Sequence, residues 1–263
     1  MNTRNLCKLL LMGCCCYCLM ACGEDNGPLS LINTEGNETL IDITSNTLQL
    51  SPFSEGESFY INGGDGAYTI DNNNEEVVAF SYDGRTLTLR PIAQGSAVIT
   101  IQDHDNHTYQ LQVEVTYPQQ TFEVMGVDAQ AIGDELTQME TELLEEQIKS
   151  DIYVGIGGTF AFTYMVPDST EGEVEMIPTG SQLSRKGVFQ SGVKYAEDGT
   201  PYEAMTIHLT SGDEVVYSWY QASPDSSYRL TEDVTERYRQ EYPKVQNAYA
   251  IQIISKKITL TLK

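Results

Sequence analysis

The chain has 263 residues, with 38 acidic against 15 basic side chains and a net charge of −23. Such an excess of carboxylates argues against a nucleic-acid partner, because that binding depends on Lys and Arg neutralising phosphates. All six cysteines lie in the first 22 residues. Everything after Cys22 is thereby without disulfides, thiol catalysis or a thiolate zinc site.

Arg4 and Lys8 form a short positive stretch, and Leu9 to Met20 is apolar apart from small or sulfur-bearing residues. That run falls short of the roughly 20 apolar residues a membrane span needs and has the length and flanks of a signal peptide. The closing residues Leu19-Met20-Ala21-Cys22 resemble the bacterial lipobox, with Met20 larger than the residue usual at its position. The resemblance implies a signal peptide over 1–21 and acylation of Cys22, whose several chains would hold the protein in outer-membrane lipid. Gly23, Glu24 and Asp25 resemble the acidic tract that directs Bacteroidetes lipoproteins to the outer face of the outer membrane. A periplasm-facing anchor, or simple solvation of a tether, is the alternative reading. Loss of 1–21 would leave 13 basic and 38 acidic residues, a net charge of about −25.

Residues 22–38 are polar and rich in Gly, Asn and Glu, and read as a flexible tether. From 39 to 117 the pattern has a period of two: Phe59 and Ile61, Tyr68 and Ile70, Val78 and Phe80, Leu87 and Leu89, Ile99 and Ile101, then Leu111, Val113 and Val115. Half-buried strands have this period. Turn chemistry separates them, including Asn62-Gly63-Gly64-Asp65-Gly66 and Asp83-Gly84, the latter suited to a two-residue hairpin. Short strands with frequent turns predict a β-sandwich. Leu48-Gln49-Leu50, Tyr68-Thr69-Ile70, Leu87-Thr88-Leu89 and the run from Pro91 through Gly95 to Asp103 resemble bacterial immunoglobulin-like domains over about residues 45–117. The resemblance implies a spacer or adhesion module and brings no catalytic residues with it. Tyr117-Pro118-Gln119-Gln120 reads as a domain boundary.

The region 121–263 has a different pattern. A brief strand from Thr121 to Val127 precedes a helix predicted from about Gly133 to Lys149, with Leu136, Met139, Leu143 and Ile148 near one face. Strands follow near 152–165, 173–178, 183–191, 203–210 and 214–221. A second helix is predicted from Thr231, which could cap it, with Glu232 and Asp233 in its first turn. A last strand runs from Ala248 to Leu262. The fold expectation is therefore mostly β: an immunoglobulin-like sandwich followed by an α+β domain with an antiparallel sheet and one or two helices.

Few motifs point to chemistry. Asp103-His104-Asp105-Asn106-His107 gathers possible ligands but falls at a hairpin tip, where a polar turn accounts for it. Calcium could meet Asp65, Asp71, Asn72 or Asn73, without the spacing of an EF-hand loop. Gly155-Ile156-Gly157-Gly158 lacks the strand-to-helix context of a dinucleotide loop and reads as a bulge or bent strand. His208 stands alone in a strand, and no Gly-x-Ser-x-Gly elbow is present. No metal or cofactor is expected. Asp168-Ser169-Thr170 matches a short glycosylation motif of Bacteroidetes, with Ser169 as the modified residue. Aromatic residues are the stronger signal: Tyr217 and Trp219 on one face of a strand and Tyr220 on the other could stack on sugar rings or a partner protein, the alternative being that the Tyr217 and Trp219 face packs under the helices as core. The expected function is noncatalytic binding or display at the outer membrane, facing the cell exterior, with an envelope protein or a glycan as partner. A hydrolase or accessory role for 121–263, or a structural role in a surface assembly, is the alternative.

Overall fold

A computed structural model describes residues 27–35, 41–42, 44–180, 183–196, 198–223 and 227–257. Cys22, Gly23, Glu24 and Asp25 lie outside the described residues, as do Ile258, Leu260 and Leu262. The chain divides into two compact units between Thr116 and Tyr117, and both are built mainly of strands.

The first unit holds two sheets. One orders β1 (Ser30–Asn33), β4 (Glu57–Asn62), β7 (Thr86–Pro91) and β6 (Val78–Tyr82). The other orders β2 (Ile41–Asp42), β3 (Thr47–Leu50), β9 (Thr108–Val115), β8 (Gly95–Asp103) and β5 (Tyr68–Asn72). All pairings are antiparallel except β3 with β9. Alternate residues of both sheets meet in one core: Phe59, Leu87 and Leu89 from the first, Leu48, Ile101 and Val113 from the second. Each such side chain contributes about 1.5–3 kcal/mol by leaving water.

Two local expectations change here. Part of the supposed tether is structural: Leu29 and Leu31 are buried, and β1 pairs with β4. Their two-residue spacing is too brief to stand out against the polar residues around it. The β6–β7 turn is shifted by one residue: Asp83 faces Thr86, its amide donating to Thr86 O (3.3 Å), so Gly84 and Arg85 form the two-residue connection. Asp83 Oδ1 accepts from the amides of Arg85 (2.9 Å) and Thr86 (2.7 Å), while Gly84 takes the positive φ of 90°.

The second unit is a closed barrel, which corrects the expected layer of helices on a sheet. Its strands are β10 (Gln119–Ile132), β11 (Thr159–Tyr164), β12 (Glu171–Ile177), β13 (Arg185–Tyr195), β14 (Pro201–Leu209), β15 (Glu214–Ser223), β16 (Ser227–Asp233) and β17 (Asn247–Lys256). Each pairs antiparallel with the next, and β17 returns to β10. Closure depends on β10 being long enough to serve two neighbours. Residues 119–123 pair with β11, and 122–132 pair with β17. The register shifts between Val124 and Gly126, so the inward row changes from Phe122 and Val124 to Val127, Ala129 and Ala131. A bulge of this kind bends a strand and increases its twist, which a small barrel requires. The same slip breaks the period of two, which is why this strand reads as short in sequence.

Helix α1 (Gln138–Asp151) lies between β10 and β11, and one turn, α2 (Thr235–Tyr238), between β16 and β17. Thr137 starts α1 with a reciprocal cap: its hydroxyl accepts from the Glu140 amide (3.2 Å), and Glu140 Oε2 accepts from the Thr137 amide (2.8 Å). That cap places the start beyond Gly133. Thr231 caps no helix. It sits inside β16, paired with Ser218 on one side and Ile251 on the other, and two ladders outweigh one cap. The glycine run 155–158 is a turn rather than a bent strand: Gly157 has φ 81°, and the Gly158 amide donates to Gly155 O (2.9 Å). The turn docks on the bulge, where the Val124 amide donates to Gly158 O (2.9 Å).

Candidate ligand-binding cavity

One end of the barrel is stopped. The inward row of β17 runs from Ile254 through Gln252 to Ala250 and Ala248, beside Ala129 and Ala131 of β10. These alanines leave room for a helix, and Leu144 and Ile148 of α1 pack onto them, both almost fully buried. Polar groups buried there find partners: Gln252 Nε2 donates to Val154 O (2.7 Å), and the Tyr238 hydroxyl donates to Asp151 Oδ2 (2.8 Å). Burial, then the Asp151 carboxylate, pushes the Tyr238 phenol up to about 12. Glu232, raised by burial, bonds Arg237 at 2.6 Å. Each partner avoids the cost of an unsatisfied buried group, about 1–3 kcal/mol.

The opposite end is open. An eight-stranded barrel is just wide enough to be filled by its own side chains or to hold one small ligand. Here Phe160, Ile207 and Leu230 fill the stopped half, all with essentially no exposure. Toward the other end lies a cavity of about 350 Å³ lined by Phe122, Phe162, Tyr164, Phe189, Met205 and Trp219. Small inward positions make room for it. Ser191 lines the wall. Gly172 has no side chain beside Phe189; a Cβ there would stand 2.0 Å from Thr163 O and 3.0 Å from the Phe189 ring.

The rings hold one another in place. Phe162 meets Phe189 edge-on at 5.1 Å, Tyr164 meets Phe189 at 5.9 Å, and Trp219 stacks on Tyr228 at 5.4 Å. Each such pair adds about 0.5–1.5 kcal/mol beyond area burial. Burial raises the Tyr164 phenol, so it stays neutral. The rim is polar, with Asp168, Ser169 and Thr170 from the β11–β12 loop and Glu203 from β14. Asp168 Oδ1 accepts from the Thr170 hydroxyl (2.7 Å) and amide (3.2 Å), which together hold its carboxyl below the usual range. Ser169 follows with φ 60°, at the exposed tip of this turn.

The three aromatics singled out in β15 separate in space. Tyr217 is almost fully buried in the barrel core and cannot meet a ligand. Trp219 lines the cavity. Tyr220 projects outward, half exposed, with Arg229 as neighbour. Ser169 is exposed at the cavity rim. The histidine-rich turn joins β8 to β9: His107 Nδ1 lies 2.8 Å from Asp103 Oδ2, and His104 Nδ1 lies 3.4 Å from Asp65. Among the described residues no three His, Cys, Asp or Glu side chains form a metal-holding group. His208 sits 3.2 Å from Glu214 on the outer surface. Phe122, Met205 and Glu203 are wall and rim residues that sequence reasoning does not single out. They join the site only because the barrel closes.

No protein-family model matches the chain, and no curated protein is similar to it at a significant level. Among solved structures, a protein of unknown function from Bacteroides ovatus aligns over 87% of this chain and 91% of its own, with 8% identity and a TM-score of 0.25. A likeness that weak carries no argument about fold or function.

Proposed function

We propose that the barrel is a noncatalytic receptor for one small, largely apolar molecule, carried on a lipid-anchored protein of the outer membrane that faces the cell exterior. The observation that carries the binding role is the aromatic cavity at the unstopped end, about 350 Å³ in volume. Ligand pockets are concave, mostly apolar and edged by a few polar groups, and their volumes begin at roughly 300 Å³. Because Trp219 lies inside a hollow and Tyr217 is core, the partner is better read as a small molecule than as a protein or glycan lying along an aromatic strip. The first unit, with two sheets sharing one aliphatic core, is read as an immunoglobulin-like spacer. The anchor reading rests on Cys22 with Gly23, Glu24 and Asp25.

Trp219 is the only tryptophan of the chain, so intrinsic fluorescence reports directly on the cavity. Titration of a soluble form starting at Gly23 with the neutral dye N-phenyl-1-naphthylamine should quench Trp219 saturably at one site. Unchanged emission across neutral, cationic and anionic aromatic probes would sink the receptor reading. For the anchor, Cys22→Ala should abolish acyl labelling and membrane association; retained labelling would refute it.

A further inference from the structure

We propose that the cavity selects organic cations: molecules whose apolar body enters the barrel and whose positive head lies at the rim. This rests on the receptor reading and names the ligand class within it.

Two features of the same hollow point to the charge. Its wall offers aromatic rings from four strands, Phe122, Phe162, Tyr164, Phe189 and Trp219. Ring faces carry partial negative charge and attract cations, most strongly when the cation is bulky and weakly hydrated. Tyr228 covers one face of Trp219 and holds the indole in place. The charged residues lining the hollow are Asp168 and Glu203, and neither Lys nor Arg lines it. The Glu203 side chain, on the rim of the cavity, has no hydrogen-bond or ion-pair partner among the described residues, so its carboxylate is free to meet a cation. Asp168 is kept in its charged form by the two Thr170 bonds. The wider molecule adds the same bias, since a net charge of −23 raises local cation concentration and opposes anions. An anionic amphiphile of the same shape would bring its charge to two carboxylates with no basic group to receive it.

Binding of three probes, benzyltrimethylammonium, its neutral carbon isostere neopentylbenzene, and phenylacetate, can be followed by Trp219 quenching. The cation should bind about 10-fold tighter than the neutral isostere, the equivalent of about 1.4 kcal/mol, and phenylacetate weakest. Glu203→Gln should weaken the cation about threefold more than it weakens the isostere, at an unchanged unfolding midpoint. Raising the salt concentration should erode the cation's advantage. If the isostere binds as well as the cation, or phenylacetate binds better, the charge selection is overturned while the receptor reading stands. If none of the three quenches Trp219, both fail.

Discussion

The two units bury their cores with different side chains, and the difference decides which of them keeps a hollow. The first unit packs Leu, Ile and Val between two sheets, with Phe59 as the one fully buried ring among its described residues. Branched aliphatic chains from facing sheets interdigitate and close the space between them. The barrel is lined instead by Phe122, Phe160, Phe162, Phe189 and Tyr217, with Trp219 and Tyr228 packed against them. Rings meeting edge to face around a circular wall support one another laterally and leave the axis of the open half empty. The same hydrophobic effect therefore yields a filled core in one unit and a hollow in the other.

Substitutions can break this contrast, and the largest effects belong to the filled regions. Phe160→Ala, in the stopped half of the barrel, should cost ~3–5 kcal/mol, and Leu89→Ala in the first unit ~2–5 kcal/mol, read from urea unfolding. Trp219→Ala should behave oppositely: a smaller loss of stability than Phe160→Ala, but at least about 10-fold weaker binding of a neutral aromatic dye, read from the dye's own emission. Equal destabilisation by the two ring deletions would show that the cavity wall is ordinary core. Thr137→Ala removes the cap of the helix that stops the barrel and should cost about 1 kcal/mol.

The smallest expected effect is the pH dependence that His107 and Asp103 give the first unit. The bond to Asp103 raises His107 above its ordinary 6.5. Burial pushes Asp103 up, but the His107 bonds outweigh it and leave that carboxyl below 3.8. Stabilisation from the raised histidine is complete below about pH 6.5 and is lost as pH rises through its folded value. Stabilisation from the lowered carboxyl is present above about pH 3.8 and is lost as pH falls through its folded value. His107→Gln should therefore flatten the decline in unfolding midpoint above pH 6.5. An unchanged decline would assign it to other groups.

Much of the local structure was legible because strands write their burial into alternate residues. Leu87 and Leu89, Ile99 and Ile101, and Leu111, Val113 and Val115 face the core of the first unit as the period of two requires. Alternation also placed Tyr217 and Trp219 on one face and Tyr220 on the other. Local reading failed where a distant strand supplied the deciding bonds. Thr231 has the chemistry of a helix cap, yet pairing with Ser218 and Ile251 holds it in a strand. The slip at Met125 hid half of β10, since a bulge looks like the end of a pattern to anyone counting by twos.

The sequence by itself determined the acidic surface, the confinement of every thiol to the first 22 residues and the inward faces of most strands. These depend on composition and on neighbours one or two positions away. Only the tertiary structure decided that eight strands close on themselves, that Ala129, Ala131, Ala248 and Ala250 admit a helix to stop one end, and that Phe122, Glu203 and Trp219 surround one hollow. The reason is that closure pairs β10 with β17, strands more than 100 residues apart, and no local pattern carries the register between them.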